Sequence, residues 1–408
     1  MIEKKQRVVV VGAGAGGAGV AARLQHAGRF DVTVVDPAES HFYQPMWTFV
    51  GGGVFPRESS KRPLREVIPT GVRWVQSAVS EFRPEENAVI TRTGEHLAYD
   101  FLVVAPGIQI NWQAITGLSE ALGRNGVCSN YSYDSVNYTW ETLQRMATGR
   151  AVFSFPTTPI KCAGAPLKIM FLAEDHLRRT GRRPQTEVVY NCGVGAIFRA
   201  PKYAAELVKI SASRDIQVNY KQDLVAVRGD AREAVFRDTD TGNERVEKFD
   251  MLHVAPPMGA PDFVKQSPLA DAGGWVEVNR SSLQHVRYPN VFSLGDASSL
   301  PTSKTAAAVR AQAPVLVANL MAVANGKAPS ASYDGYTSCP LITGYGRLML
   351  AEFDYDLKPC ETFPFDQGKE RLSMYWLKKY AMPVIYWQGL VRGRKWPWPF
   401  PESAPKVA

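Results

Sequence analysis

The stretch that decides the fold is Val8-Val-Val-Val-Gly12-Ala-Gly14-Ala-Gly-Gly17, a β-branched run that enters a glycine-rich turn. A helical pattern follows, then a second β-branched run, Phe30-Asp-Val-Thr-Val-Val, with Asp36 directly after it. Strand, G-x-G-x-x-G, helix, strand and acidic residue together form a dinucleotide-binding fingerprint in its full context. The first glycine permits the tight turn, the second lets the backbone approach a pyrophosphate, and the third lets helix and strand pack closely. The sequence therefore predicts a nucleotide site, with the helix N-terminus at the phosphates and Asp36 on the adenosine ribose.

Two later segments favour FAD over NAD as the nucleotide. Tyr99-Asp-Phe-Leu-Val-Val-Ala-Pro106-Gly107 resembles the strand and turn of two-dinucleotide-binding flavoproteins, with Pro106 in place of the usual Thr. Tyr288-Pro-Asn-Val-Phe-Ser-Leu-Gly295-Asp296 resembles their second FAD fingerprint, in which the Asp binds the ribityl chain. A plain dehydrogenase fold needs neither segment, so we expect FAD.

A second Rossmann-like unit is predicted from Glu187-Val-Val-Tyr-Asn-Cys-Gly193-Val-Gly195-Ala-Ile-Phe198. Flavoproteins of this kind usually insert such a unit for NAD(P)H between the two halves of the FAD domain. Phe198 occupies the place of the third glycine, and the next strand, 216–221, ends without an acid for a ribose. We therefore expect a poor nicotinamide site and a different electron donor.

These patterns predict an α/β fold with tandem Rossmann-like FAD/NAD(P)-binding domains and a small C-terminal membrane or quinone region. The expected boundaries are 1–112 for the first part of the FAD-binding domain, 113–284 for the second Rossmann-like domain, 285–332 for the return segment of the FAD-binding domain, and 333–408 for the C-terminal region.

The last part of the C-terminal region, residues 371–408, carries most of the net charge. Hydrophobic residues make up 45% of the chain and charged residues 21%, which excludes a mainly disordered protein. Residues 371–408 hold seven basic groups against Glu402, and so supply +6 of the net +8. The same segment contains eight aromatic residues, namely Tyr375, Trp376, Tyr380, Tyr386, Trp387, Trp396, Trp398 and Phe400. Trp and Tyr beside Lys and Arg are typical of a membrane interface, whereas a nucleic-acid binder usually spreads its charge over a folded face.

We therefore expect membrane contact and no nucleic-acid partner, with a dimer interface as the alternative use of the tail. The stretch 371–387 is predicted to be helical and to break at Pro383. No apolar run approaches the ~18 residues of a spanning helix. No signal or transit peptide precedes the strand that begins near Arg7. The expected location is peripheral, on the cytoplasmic face of a bacterial inner membrane.

The five cysteines, Cys128, Cys162, Cys192, Cys339 and Cys360, have irregular spacings that do not suit a disulfide framework. Neither they nor the six histidines show metal-ligand spacing, so we expect no metal. Cys162 stands out because Pro159-Ile-Lys-Cys162-Ala-Gly-Ala-Pro166-Leu-Lys168 reads as an ordered loop entering a helix. A thiol near a helix N-terminus and beside lysines has a lowered pKa, and the thiolate is the nucleophilic form. Cys339 lies 177 positions away in another Pro-bounded loop, and composition does not show whether the fold brings the two together.

Longer motifs are more specific than the glycine loop. They are Phe42-Tyr-Gln44-Pro-Met-Trp47, the Cys162 loop, Leu300-Pro-Thr-Ser-Lys304-Thr-Ala-Ala-Ala, Tyr336-Thr-Ser-Cys339-Pro-Leu, Phe363-Pro-Phe-Asp-Gln and Glu370-Arg-Leu-Ser-Met-Tyr. Together they resemble the sulfide:quinone oxidoreductase family, in the branch that includes the mitochondrial enzyme. The resemblance runs from about residue 7 to about residue 392.

The resemblance implies FAD-dependent oxidation of hydrogen sulfide by ubiquinone or another membrane quinone. Cys162 and Cys339 would flank the flavin as a disulfide or a sulfur-bridged pair. Hydrosulfide would attack at Cys339, leaving a persulfide there and a thiolate on Cys162 that donates to the flavin. The sulfur would then pass to a small thiol, sulfite or sulfide, and FADH₂ would reduce the quinone.

By family position, Lys168 and Lys378 join the two cysteines as candidate catalytic residues, because cations stabilise hydrosulfide, thiolate and reduced flavin. The candidate FAD-binding residues are Gly12, Gly14, Ala15, Gly17, Asp36, Gln44, Val79, Gly107, Gly295, Asp296 and Lys304. Cys128 lies in a region where some bacterial members attach FAD covalently, and we expect it to be a bystander.

Three alternatives remain at this point. A type 2 NADH:quinone oxidoreductase shares the FAD fold and the membrane tail. The flavoprotein subunit of sulfide–cytochrome c dehydrogenase keeps the cysteine pair but needs export. A flavin-binding scaffold without turnover would keep the fold alone. The sulfur acceptor, the quinone type and any homo-oligomeric state are open.

Overall fold

Two five-stranded parallel sheets form the framework of the protein, which is a computed structural model that describes residues 5–395 and 406–407. The first sheet contains, in spatial order, Val291–Ser293, Phe101–Val104, Gln6–Val11, Phe30–Val35 and Arg73–Val75. Its central strand is covered on both faces, as its unbroken run of valines predicts. The chain joins this sheet again only at Val291, so two separated parts of the sequence build it.

The second sheet contains, in spatial order, Val127–Cys128, Met251–His253, Gly149–Phe155, Thr186–Cys192 and Ile216–Tyr220. Three further strands, Gln222–Arg228, Glu233–Asp238 and Glu244–Lys248, form an antiparallel sheet. In the sequence they follow Ile216–Tyr220 and precede Met251–His253. Two parallel sheets with crossover helices confirm the predicted tandem Rossmann-like fold. The exact domain boundaries stay predictions.

The first glycine loop leads directly into the helix Ala15–His26, with Gly14 as the residue before it. A Cβ atom added at Gly17 would lie 1.8 Å from the carbonyl oxygen of Gly12, and Gly12 itself has a φ of +93°. Both positions therefore require glycine, for close packing and for the turn respectively. This is the local geometry that the fingerprint predicts.

The helix Ala306–Ala324 is the one helix in the described part of the chain that is long and apolar enough to span a membrane, with a mean hydropathy of 1.4. Its apolar sequence is interrupted by Arg310 and Gln312, so it does not form an unbroken apolar run. It packs against Ala15–His26. The buried Asn319 side chain donates to the carbonyl oxygens of Ser282 and Ala331 at 2.9 and 2.8 Å. These contacts identify it as a core helix.

Smaller elements complete the fold. The other helices are Trp47–Gly51, Leu64–Val67, Leu118–Ala121, Val136–Arg145, Ala165–Arg179, Pro201–Ser213 and Asp262–Lys265. The other antiparallel strands are Ser40–Phe42 with Lys61–Pro63, Val79–Arg83 with Ala88–Thr91 and His96–Ala98, Gln109–Ile110 with Met258–Gly259, and Ala331–Ser332 with Lys406–Val407. A hairpin of Thr337–Gly344 and Arg347–Phe353 packs against the helix Ala165–Arg179, and thereby brings the C-terminal third of the chain to the second sheet.

Residues 372–390, which we call the tail helix, change winding without a break. They comprise Leu372–Trp376, Leu377–Ala381, Met382–Val384 and Ile385–Leu390, in which α-helical segments alternate with wider π-helical turns. The expected break at Pro383 is wrong. Pro383 lies at the start of the short α-helical segment between the two π-helical turns, where its missing N–H is tolerated.

Candidate active site

The loop before the helix Ala165–Arg179 presents Cys162. Its N–H donates to the carbonyl oxygen of Lys304 at 2.8 Å, and its carbonyl oxygen accepts from the N–H of Ala165 at 2.8 Å. Cys162 has a φ of +53°, a left-handed conformation that is uncommon for a residue with a Cβ atom. Strained backbone of this kind persists where surrounding contacts hold it, and such residues cluster at functional sites.

The fold brings Cys339 to Cys162. Cys339 lies on the hairpin strand Thr337–Gly344 and is fully buried, and the two thiols are close enough to shift each other's pKa. The neighbouring Cys339 thiol and the charges of Lys168 and Lys378 hold the pKa of Cys162 well below its ordinary value. The neighbouring Cys162 thiol and burial raise the pKa of Cys339. Cys162 is therefore the thiolate of the pair, and Cys339 is the protonated partner.

Two buried lysines face the thiolate. The Nζ atom of Lys168, one turn into the helix Ala165–Arg179, donates to the Sγ atom of Cys162 at 3.2 Å. Lys378, on the tail helix, is 3% exposed, and burial lowers its pKa to about 7, with the charge of Lys168 lowering it further. A solvated surface position for Lys378 is thereby excluded. The helix provides one cation next to the sulfur, and the C-terminal region provides the second.

A cavity of about 430 Å³ runs from the first glycine loop to the cysteines. The predicted residues that line it are Gly12, Gly14, Ala15, Asp36, Gln44, Gly107, Gly295, Asp296, Lys304, Cys162, Lys168 and Lys378. Three other predicted residues lie outside this lining. Gly17 packs behind the loop, Val79 is buried on the strand Val79–Arg83, and Cys339 lies beneath the wall. The structure therefore joins the nucleotide site and Cys162 in one space, with Cys339 directly behind the wall.

The cavity wall fits FAD. A Cβ atom added at Gly14 or Gly107 would meet nothing within 4 Å, so the bare backbone of both residues is open to a ligand. Asp36 accepts from the N–H groups of Ala13 and Ala38 at 2.6 and 2.8 Å. Burial raises the pKa of Asp36. In this structure Asp36 also fixes the glycine loop, a role beyond the predicted ribose contact.

A further cluster of charges lies at the cysteine end of the cavity. The Nζ atom of Lys304 donates to the carbonyl oxygens of Asp296 and Ser298 at 2.7 and 3.3 Å. Burial lowers the pKa of Lys304 to about 8, and likewise that of Lys161. Burial raises the pKa of Asp296, and the two lysines oppose this effect. The site thus concentrates lysines where sulfur and flavin anions would form.

Asn130 and Tyr131 are among the cavity-lining side chains that the sequence analysis did not name. Lys161, in the quoted loop directly before Cys162, also lines the cavity. Asn130 and Tyr131 follow the strand Val127–Cys128. In proteins with parallel sheets, ligands bind beyond the carboxyl ends of the strands. The position of these two residues directly after a strand was therefore the sequence feature that could have identified them.

The other cysteines lie apart from the cavity. Burial raises the pKa of Cys128 to about 12 and that of Cys192 to about 11. Cys360, at the end of the hairpin region, also has its pKa raised to about 12, first by burial and then by neighbouring carboxylates. None of the three lines the cavity in the described part of the chain. The bystander role of Cys128 stays a prediction.

The second glycine segment differs from the first. No helix begins at residues 193–200, and the next helix, Pro201–Ser213, starts six residues after Gly195. Phe198 is buried, and its ring lies edge-on to that of Phe353 at 5.8 Å. The segment therefore packs against the hairpin and does not offer a helix N-terminus to a pyrophosphate.

Known proteins share this architecture. The pyridine nucleotide-disulphide oxidoreductase family matches residues 6–138. The mitochondrial sulfide:quinone oxidoreductase of Mus musculus is 49% identical over 95% of this chain and 86% of its own, and that of Dictyostelium discoideum is 47% identical over the same shares. The crystal structure of the sulfide:quinone oxidoreductase from Aquifex aeolicus has the same fold, with a TM-score of 0.78, 18% identity, and coverage of 95% of this chain and 92% of that one. By its similarity to the mouse and Dictyostelium proteins over nearly its whole length, the chain belongs to the sulfide:quinone oxidoreductase family.

Proposed function

We propose that this FAD-dependent enzyme oxidises hydrogen sulfide at the Cys162–Cys339 pair and passes the electrons to a quinone. The observation that carries the proposal is Cys162 at one end of the nucleotide cavity, with the Nζ atom of Lys168 at 3.2 Å from its sulfur and the Cys339 thiol as its neighbour. A redox-active pair beside a flavin site couples sulfur chemistry to electron transfer.

The difference between the two thiols supports a direction of attack. Hydrosulfide would add to the Sγ atom of Cys339 in the disulfide form of the pair and expel Cys162 as a thiolate. The sulfur with the lower pKa leaves faster in such exchanges, and the pKa of Cys162 is the lowered one. Lys168 holds the expelled thiolate by a charge-assisted hydrogen bond. Cys339 would then carry the persulfide.

The cofactor would lie along the rest of the cavity. Gly14 and the helix N-terminus at Ala15 would bind the pyrophosphate, and Gly107, Asp296 and Lys304 would face the flavin end. When bound, FAD supplies a two-electron acceptor for the sulfur and a donor for the quinone. The lysine side chains would stabilise anionic charge there, and the apolar wall from the tail helix would exclude water.

Exposed residues of the tail helix support membrane contact. Leu372, Trp376, Tyr380 and Val384 recur at every fourth position and are 47–58% exposed, so they form one apolar stripe. Met382, Ile385 and Tyr386 of the same helix line the cavity. We propose that the stripe rests in the membrane interface while the other side of the helix closes the site, which would give a quinone a short path from lipid to flavin.

Membrane binding would make the protein peripheral. Tyr375, Tyr386 and Trp387 are buried, so only part of the predicted aromatic cluster faces outward. Trp396, Trp398 and Phe400 lie outside the described residues. The mouse and Dictyostelium relatives are mitochondrial enzymes, and they do not support the expected bacterial origin or cytoplasmic face. As sulfur acceptor we propose a small thiol, sulfite or sulfide.

The decisive experiment is an anaerobic titration of the purified protein with sulfide, followed by a short-chain quinone. We expect sulfide to bleach the flavin band and quinone to restore it. Cys162→Ser and Cys339→Ser should both abolish bleaching, whereas Cys360→Ser, outside the cavity, should retain it. Bleaching by NADH and not by sulfide would replace the proposal with an NADH:quinone oxidoreductase. No response to either donor would indicate a flavin-binding scaffold.

A further inference from the structure

The ammonium group of Lys304 lies against the face of Trp275. The Nζ atom is 3.8 Å from the centroid of the Trp275 ring, and it also donates to the carbonyl oxygens of Asp296 and Ser298 at 2.7 and 3.3 Å. A cation and an aromatic face attract each other in this arrangement because the ring face carries partial negative charge. Lys304 lines the cavity and Trp275 does not, so the ring contacts a cavity residue without being part of the lining.

A tight loop holds the Trp275 ring in this position. The side chain of Asp271 accepts from the N–H groups of Gly273 and Trp275 at 2.8 and 2.9 Å. The N–H of Asp271 donates to the carbonyl oxygen of Trp275 at 2.8 Å. Gly274 has a φ of +82°, a left-handed conformation that favours glycine in the turn. The backbone of Trp275 is therefore fixed through both its N–H and its carbonyl oxygen.

The loop is bonded to residues 295–299, which supply the two carbonyl oxygens that accept from the lysine. The N–H of Val276 donates to the carbonyl oxygen of Ala297, and the N–H of Ser299 donates to that of Val276, both at 2.9 Å. Val276 and Ser298 also form a parallel β-bridge. The ring and the two carbonyl oxygens therefore belong to one hydrogen-bonded unit, which surrounds a single ammonium group.

Several charged groups act on Lys304. Burial lowers its pKa to about 8, and the charges of Asp296 and Asp271 oppose this effect. The charge of Lys161 also acts on Asp296, so two lysines share that carboxylate. A neutral aromatic ring stabilises an ammonium group without cancelling its charge, whereas a further carboxylate in the same place would remove the net positive charge of the site.

We infer that Trp275 is a positioning residue that holds Lys304 in its charged form at the flavin end of the cavity. The ring acts through Lys304 and has no contact of its own with the cavity. FAD is an anion, so its affinity should depend on the charge that Lys304 carries. This inference rests on the proposed placement of FAD along the cavity.

The test is a double-mutant cycle in the full-length apoprotein, measured as the dissociation constant of FAD by flavin fluorescence between pH 6.5 and 9.5. In the wild type we expect the affinity to be constant below about pH 8 and to fall above it, as Lys304 loses its proton. In Trp275→Leu the fall should begin about one pH unit lower, because the ammonium group loses its aromatic partner. Trp275→Phe, which keeps an aromatic face, should restore most of this shift.

In the Lys304→Met background, Trp275→Leu should leave the pH profile unchanged, because no ammonium group remains for the ring to hold. Lys161 also lines the cavity and has a pKa of about 8, and its contribution is present in both backgrounds. The matched control is Trp140→Leu, which removes another half-buried indole outside the cavity lining and should not shift the profile.

Three results would overturn the inference. An equal effect of Trp275→Leu in both backgrounds, or affinity lowered by one factor at every pH, would show that Trp275 supports the fold and not the cation. A profile that does not move would show that the ring does not stabilise the charge. A shift to higher pH would show that the ring mainly keeps water from the lysine.

The sulfide titration separates these results from the proposed function. A wild type that sulfide bleaches, with an unshifted profile in Trp275→Leu, would contradict the inference alone. A wild type that sulfide does not bleach, with the shift present and dependent on Lys304, would contradict the proposed function and retain the inference.

Discussion

The Nζ atom of Lys168 lies 3.2 Å from the Sγ atom of Cys162, six residues earlier in the chain. The contact is possible because Cys162 precedes the helix Ala165–Arg179 and Lys168 sits in its first turn, where the helix turns the side chain back toward its N-terminus. One short segment of the chain therefore supplies the thiolate, the helix N-terminus and the cation that stabilises the thiolate.

Replacing Lys168 with Met should raise the pKa of Cys162. Met keeps the length of the buried side chain and removes the charge. A hydrogen bond to a charged group contributes about 1.5–3 kcal/mol, which corresponds to a rise of about one to two pKa units. The measurement is the pH profile of Cys162 alkylation, with Lys209→Met, at an exposed surface position, as control. An unshifted profile would show that Lys168 does not stabilise the thiolate.

Lys378 should make stability depend on pH. Its pKa is about 7 in the folded protein against 10.5 for a free lysine, so the unfolded state binds more protons between these values. Stability contributed by this group therefore rises with pH from about 7 to 10.5 and is at its lowest below pH 7. We expect the melting temperature of Lys378→Met to exceed that of the wild type most at pH 6.5, and the difference to shrink toward pH 10. A constant difference across this range would contradict the shifted pKa.

The hydroxyl of Tyr386 should hold the tail helix over the glycine loop. Burial lowers the pKa of His41 to about 4, so the ring is neutral. Its Nδ1–H donates to the carbonyl oxygen of Ala13 at 2.9 Å, which leaves Nε2 to accept from Tyr386 at 2.6 Å. Tyr386→Phe removes one buried hydrogen bond, worth about 1 kcal/mol.

We expect this variant to have a raised KM for quinone and an unchanged rate of flavin bleaching by sulfide. The control is Tyr355→Phe, which removes a hydroxyl bonded to the carbonyl oxygen of Arg280 and outside the cavity lining. Stopped-flow measurement of the two half-reactions separates the effects. Equal slowing of both half-reactions would show that the hydrogen bond supports the whole site and not the tail alone.

The apolar stripe should determine membrane affinity. Replacing Trp376 and Tyr380 with Ser removes two side chains that are 54% and 58% exposed, and burial of such surface contributes about 25 cal/mol per Å². We expect binding to anionic vesicles to weaken at least about tenfold, while sulfide bleaching in detergent is retained. Val246→Ser with Val286→Ser, two exposed valines outside the tail helix, is the matched control. Equal binding by both double variants would place the membrane contact elsewhere.

Local rules predicted the first nucleotide site well. The Gly12 carbonyl oxygen and Gly17 approach so closely that only glycine fits, and this constraint is visible in the spacing itself. Cys162 was also marked by its loop and by its place before a helix. The partnership with Cys339 came only from family resemblance, because a hairpin 177 positions away must fold onto a helix, and no local pattern encodes that contact.

The tail helix shows that amino-acid composition does not predict which side chains are buried. Lys378 and Lys379 are adjacent and chemically identical, yet Lys378 is buried at the thiols and Lys379 lies by the rings of Phe55 and Tyr380. Which of the two lysines is buried depends on how far each residue is rotated around the helix axis. The π-helical turn that contains both changes this rotation from the regular period of 3.6 residues per turn.

The hydrogen bond from the N–H of Cys162 to the carbonyl oxygen of Lys304 has a mechanical consequence. Lys161 and Lys304 also form a parallel β-bridge at this point, so the Cys162 loop, which follows a strand of the second sheet, is bonded to the segment that follows the last strand of the first sheet. A hinge motion between the two sheets would have to break these bonds and would displace the thiolate. The position of the Cys162 thiolate is therefore coupled to the relative placement of the two sheets.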